Sequence, residues 1–304
     1  MPSTPSDDPG RETIRQARNT FWLECHQIVL RVGWIFKTET IIMPAVLDAV
    51  VDSGVLRGLL PVLNRGGQSL PPLFFAGPLA RLPVKKWSLV RTSLAMAACF
   101  AVLAAAWGPL EARRPDLLAA LFLVLYAVFS MTNGLNQLVA AALQGKLVPP
   151  GHRGRAMVVS VTIGSAAAIA AAILLLGPWL GAPGGFQKIF ATTAAFFGLA
   201  ALIPPWLDEP PDDVVPATCG ARLGPFAAMR HAVADWRRTL ADDPALVRLA
   251  VVAACFSAVI MLFPHYQAFA RDRLGSAIGS LLTWVVVQNA ATAAASVVAG
   301  PVAD

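Results

Sequence analysis

Charge is scarce in this chain. Only 14% of its 304 residues are Asp, Glu, Lys or Arg, and a soluble domain of that length needs far more to cover its surface. Histidine and cysteine are scarce too, with four of each. His26, His152, His231 and His265 lie in four separate segments, and Cys25, Cys99, Cys219 and Cys255 form no Cys-x-x-Cys pair. No metal site, disulfide framework or clustered catalytic set is therefore indicated. A Gly-x-x-x-x-Gly-Lys-Ser/Thr loop is missing, which argues against ATP-driven work, and no cofactor site is expected. Residues 1–20 lack an apolar stretch and are rich in Pro, Ser, Asp and Arg. They read as a disordered tail and not as a secretory signal.

What the chain has is apolar surface: 56% of it is hydrophobic and its mean hydropathy is +0.61. The expected class is all-α, a polytopic membrane protein, because isolated apolar runs must satisfy their own backbone in lipid. Eight spans are predicted, at 32–51, 55–80, 88–107, 117–138, 157–180, 186–206, 246–270 and 277–300. The net charge of +6 sits in short loops, so bilayer orientation explains it better than nucleic acid does. With the N-terminus inside, sixteen of the 24 Lys and Arg residues fall in inside segments (Arg31 among them) and six in outside loops. The positive-inside rule thus predicts a cytoplasmic N-terminus. Abundant Ala and a strong excess of Arg over Lys hint at a GC-rich bacterial genome, and so at the bacterial inner membrane.

The predicted organisation is a cytoplasmic tail and pre-helix (1–31), a six-helix bundle (32–206), a cytoplasmic linker (207–245) and two further helices (246–304). The linker opens on Asp208-Glu209-Pro210-Pro211-Asp212-Asp213, which reads as disordered. Residues 230–240 mix Val233 and Trp236 with charge and read as a short surface helix.

Two segments repeat. Gly77-Pro78-Leu79-Ala80-Arg81-Leu82-Pro83-Val84-Lys85-Lys86 follows the second span, and Gly300-Pro301-Val302-Ala303-Asp304 follows the eighth. Both resemble the Gly-x-Leu-Ala-Asp-Arg-x-Gly-Arg-Arg loop of the major facilitator superfamily of secondary transporters. Arg153-Gly154-Arg155 resembles that family's basic turn into the fifth helix. The resemblance implies an all-α fold with a six-helix N-terminal bundle and the first two helices of a second bundle. It also implies a gating loop of Gly77, Arg81, Lys85, Lys86, Gly300 and Asp304. Arg81 stands where the family has an Asp that anchors a charge network, so that gate is not carried over at this copy. Against the family's twelve-helix plan, the expectation is a fragment ending after the eighth helix. Gly177-Pro178-Trp179-Leu180-Gly181 matches the antiporter pattern only in part, and antiport is not inferred.

Ionisable side chains inside spans are functional candidates by default. In an unbroken first helix Lys37 and Asp48 share a face, within about 20° of each other and roughly 16 Å apart along the axis, while Glu39 points away. The second span places Arg57, Asn64 and Gln68 on one face with Arg65 beside them. The fourth carries Tyr126, Ser130, Asn133, Gln137 and Gln144 in one stripe. Asn64, Arg65, Gln68, Tyr126, Asn133 and Gln137, with Gln288 and Asn289 from the eighth span, are the candidate substrate cavity. Arg65 would hold an anionic group of the solute, or pair with an acidic residue when the cavity is empty. Lys37, Glu39, Asp48 and His265 are the charge-coupling candidates, with Glu39 or Asp48 carrying the proton if transport is proton-driven. Gly164 and Ser165 read as packing residues. The expected function is secondary transport of a small solute, with the bilayer, that solute and protons as partners and no nucleic acid or ATP. The alternatives are a non-transporting membrane protein, such as a sensor or an inactive transporter, and, further off, a membrane enzyme.

Overall fold

The computed structural model describes residues 9–51, 53–180, 182–212, 225–274 and 280–303, and among these it is helical throughout, without strands. The helices are α1 (Pro9–Phe36), α2 (Ile42–Val50), α3 (Gly54–Ala80), α4 (Lys86–Glu111), α5 (Pro115–Leu147), α6 (Arg153–Ala171), α7 (Gly177–Trp179), α8 (Gly185–Ala201), α9 (Pro225–Asp242), α10 (Pro244–Leu274) and α11 (Ser280–Ala303). A π-turn, Ala172–Leu176, joins α6 to α7. The expected surface helix at 230–240 lies within α9.

Among the described residues five helical segments are long and apolar enough to cross a membrane: Lys86–Glu111, Pro115–Leu147, Pro150–Trp179, Gly185–Trp206 and Leu281–Val298. The other three expected spans are also helical, but their polar residues or shorter apolar stretch set them apart. The outward faces carry residues such as Val102, Val124, Met131 and Leu174, exposed as lipid-facing side chains would be.

Two differences from the sequence expectation matter for the site. Helix begins at Pro9, well inside the stretch read as a disordered tail. And the first span is not one helix: α1 stops at Phe36 and α2 starts at Ile42. Pro44 explains the break. It has no N–H to give, and its ring would clash with the carbonyl of Thr40, four residues back, in a continuous helix. Thr38 rounds off the turn. Its hydroxyl donates to the Ile35 carbonyl at 2.8 Å, and its own carbonyl accepts from Ile41, Ile42 and Met43 at 3.3, 2.9 and 3.1 Å. By contrast, α3 runs unbroken through Pro61, Pro71, Pro72 and Pro78.

The core is aromatic. Phe100 meets Phe129, Phe190 and Phe197 at centroid separations of 4.9, 6.0 and 5.8 Å, and Trp107 meets Phe190 at 5.2 Å. This stack ties α4, α5 and α8 together. The α3–α5 crossing is tighter still. A Cβ on Gly67 would lie 2.6 Å from the Ser130 Cβ, and one on Gly134 would strike the Gln68 backbone. Only glycine allows that approach. Helix α10 packs on α3, and α11 packs on α6.

Candidate functional site

The break in the first span re-aims its charges. Asn19, on α1, bonds Asp208 at one end of the bundle. The predicted span opens at residue 32, and at 1.5 Å per residue Phe36 lies about 6 Å inside it, so residues 37–41 fall in the interior of the span. Non-helical backbone at that depth is tolerated where it lines a cavity. It does so here. A cavity of about 360 Å³ is lined by Arg31, Trp34, Ile35, Lys37, Thr38, Glu39, Thr40 and Arg65, with Phe256 from α10 and Gln288, Asn289 and Thr292 from α11.

The break takes the charges of the first span off the faces that a continuous helix would give them. Lys37 and Glu39 line the same cavity, because unwinding brings them to one side. Asp48 does not share their site. It is held by Arg57 at 2.9 and 2.6 Å, the two side chains being only 9% and 11% exposed. Arg57 thus leaves the expected stripe, while Asn64 and Gln68 stay in it. Asn64 donates to one Glu39 oxygen, and Gln68 donates to Asn64 at 2.7 Å.

Three basic groups face one acid. Lys37 is 7% exposed, and its ammonium lies 4.8 Å above the Phe129 ring. Among the described residues none of Arg31, Lys37 and Arg65 is in an ion pair with Glu39. The second Glu39 oxygen, the Nε of Arg31, the Nε of Arg65 and the indole N–H of Trp34 are all buried without a hydrogen-bond partner. Arg31, counted with the loops in the orientation tally, is therefore a cavity residue. Gly164 makes room for it: a Cβ there would lie 2.9 Å from Arg31 Cδ. This is the close helix approach expected of Gly164, with Arg31 on α1 as the neighbour.

The remaining candidates divide. Gln288 accepts from Thr40 at 3.3 Å, and Asn289 donates to the Val285 carbonyl at 2.9 Å. Tyr126 and Asn133 are buried in the bundle, each with an unpartnered oxygen, and do not line this cavity. Gln137 lines a second cavity of about 330 Å³ with Glu24, Gln27 and Gln144. His265 is not in the cavity; its Nε2 lies 3.6 Å from where a Cβ on Gly58 would be. A buried network missed in the sequence joins α1, α4 and α5. Asn136 donates to Thr92 at 2.9 Å and to Ser93 at 3.0 Å, and His26 meets Ser93 at 3.3 Å.

The cavities run in series. Arg31 and Trp34 are shared by the first and second, and Thr20, Glu24 and Ala156 by the second and a third of about 400 Å³, which His152 and Arg155 also line. One face of α1 lines the whole series: Gln16, Thr20, Glu24, Gln27, Arg31 and Trp34, at spacings of three and four residues.

The basic loop copy is built differently. Glu209, its side chain fully buried, accepts the backbone N–H groups of Lys85 (2.9 Å) and Lys86 (2.8 Å) at the start of α4, and Lys146 at 3.0 Å. Asp212 accepts from Lys85 and from Lys146, and these bonds hold its carboxyl below the ordinary range. Lys86 donates to the Leu207 carbonyl at 2.7 Å. The acidic stretch expected to be disordered is ordered through Asp212 by these contacts. Gly77 and Arg81 are exposed. Gly300 ends on α11, and Asp304 lies outside the described residues.

No curated protein and no solved structure matches the chain. A family model described as Major Facilitator Superfamily matches residues 66–304. That region takes in the basic loop, the aromatic core and the α11 wall of the cavity. With the helical architecture and the apolar spans, it makes the chain a multi-pass membrane protein that belongs to the Major Facilitator Superfamily of small-solute transporters.

Proposed function

We propose that the mid-span cavity is the solute site of a secondary transporter that works by alternating access. The basic loop end faces the cytoplasm of a bacterial plasma membrane, as the Lys and Arg distribution favours. The observation that carries this reading is the broken first span. Discontinuous helices near the membrane midplane are where transporters place substrate and coupling-ion sites. Here the break faces α11 across a polar cavity that connects toward the basic end. Rocking of α10 and α11 against the first six spans would move the Phe256, Gln288, Asn289 and Thr292 wall of the cavity and so change which side reaches it. Of the two expected proton carriers, Glu39 fits better. Asp48 is engaged by Arg57, whereas Glu39 faces the cavity among Arg31, Lys37 and Arg65. Gln288 and Asn289 supply neutral polar contacts, whereas Asn64 and Gln68 do not line the cavity and instead support Glu39 from behind. Transport then draws on a solute gradient or a proton gradient, without ATP.

A substrate-independent experiment tests this. Thr292, on the α11 wall, is replaced by Cys in a chain whose four native cysteines are Ala. A membrane-impermeant thiol reagent is then applied to right-side-out and to inside-out vesicles. Alternating access labels Thr292→Cys from both sides. Labelling from one side only, or from neither, would mean that the cavity is not a transport site.

A further inference from the structure

We infer that the solute carried by this cavity is a small organic anion, clamped between Arg31 and Arg65. The inference rests on the transport reading above and adds the chemical class of the cargo. Three basic side chains and one carboxylate line the cavity, which leaves an excess of positive charge. Charges taken out of water are costly unless paired and hydrogen-bonded. Among the described residues two other acids with buried side chains are matched: Asp48 by Arg57, and Glu209 by Lys146 and two backbone N–H groups. In the cavity the guanidinium Nε atoms of Arg31 and Arg65 and the Trp34 indole N–H all lack partners. The complement of two guanidinium groups without an acid partner on one cavity wall is an acceptor-only group, and a guanidinium presents a planar fork that fits a carboxylate or a phosphate. A neutral polyol could pair with the Thr, Gln and Asn side chains of the lining, but it would leave the guanidinium groups without a counter-charge. Trp34, Ile35 and Phe256 add an apolar wall for the body of such a solute. Arg31 also lines the adjoining cavity, so a solute coming from the basic end passes Arg155 and Glu24 and then meets Arg31 before Arg65.

Glu39 then has a defined role toward the anion. Ionised, it competes for the same cations; neutral, it leaves them to the solute. Anion and proton would therefore travel together, with Arg31, Lys37 and Arg65 as the charges facing Glu39.

The experiment uses the purified full chain in nanodiscs and the fluorescence of Trp34, identified as the reporter by loss of the signal in Trp34→Phe. Benzoate and phenyl phosphate are the anionic probes, and benzamide is the neutral isostere. The expected result is saturable quenching by at least one anion and none by benzamide. Arg31→Gln and Arg65→Gln should each weaken the response about 10- to 100-fold, the range for losing a hydrogen bond to a charged group. Arg65→Lys, which keeps the charge without the fork, should fall between. Thermal unfolding of each variant is followed in parallel, so that weak binding is not mistaken for misfolding. Which anion is preferred separates a carboxylate cargo from a phosphate cargo. Equal quenching by benzamide, unchanged affinity in the folded Arg variants, or no saturable response to either anion would overturn the inference. If Thr292→Cys is nonetheless labelled from both sides, the transport reading survives and only the anion assignment falls.

Discussion

Two regions of this molecule hold the same kinds of charge and use them in opposite ways. At the basic end Lys85, Lys86 and Lys146 meet Asp212 and Glu209, and the groups not paired with an acid reach backbone carbonyls. In the mid-span cavity Arg31, Lys37 and Arg65 face Glu39 without an ion pair among the described residues. Matched charge holds loops in place. Unmatched charge at the break of a helix stabilises little and instead defines what can bind.

The comparison can be broken most easily at its matched half. Removing one partner of a buried pair strands the other charges, at a typical cost of about 3–5 kcal/mol. Glu209→Ala should therefore lower the stability of the purified protein by about that much in thermal or denaturant unfolding. It should leave the accessibility of Thr292→Cys intact in the fraction that folds. A Glu209→Ala protein as stable as the parent would remove the structural role assigned to the cluster.

The unmatched half should respond with the opposite sign. Arg65→Ala deletes a partly desolvated charge that has no ion pair, so stability should hold or rise by about 1 kcal/mol, while the affinity for benzoate or phenyl phosphate collapses. Loss of several kcal/mol in this variant would show that Arg65 is a structural strut. Gly164→Ala sharpens the point. The added methyl would press on the stem of the Arg31 side chain, at a stability cost of about 1–3 kcal/mol. The displaced guanidinium should weaken anion quenching of Trp34 several-fold. Unaltered quenching would mean that the position of Arg31 does not matter.

The smallest effect is at Asp212. Its folded-state carboxyl titrates below the ordinary value of 3.8, because Lys85 and Lys146 bond the ionised form. The stabilisation is present above the unfolded carboxylate range and is lost as pH falls through the depressed value. The group is well exposed, so the pair contributes less than about 1 kcal/mol. Asp212→Asn should flatten the acid limb of the stability profile slightly and change nothing at pH 7 beyond that amount. An unchanged acid limb would place the pairing outside the stability of the fold.

The helical class, the positions of the later spans and the basic loop were legible in the sequence because each rests on local composition. The break was legible in principle. Pro44 sits where the carbonyl of Thr40 must give way, yet a hydropathy window reads 32–51 as one run and so places Lys37 with Asp48. Arg31 was hidden by the same window, which counted it with the loops. The three- and four-residue spacing from Gln16 to Trp34 was the signal available there. Glu209 carried no local signal. Its partners Lys85 and Lys86 lie more than 120 residues away in the chain, and an acidic, proline-rich stretch gains order only from such distant contacts. The α3–α5 approach at Gly67 and Gly134 likewise exists only once the two helices cross.

The central claim is that the break at 37–41 lines a site that both sides of the membrane reach in turn and an anion occupies. Thr40, which donates to Gln288 across the cavity, is the position to probe. In a chain lacking native cysteines, the rate at which an impermeant thiol reagent modifies Thr40→Cys is measured from each side, with and without benzoate or phenyl phosphate. The account expects modification from both sides, slowed by at least one of the two anions and not by benzamide. Modification from a single side, or a rate that neither anion changes, would contradict it.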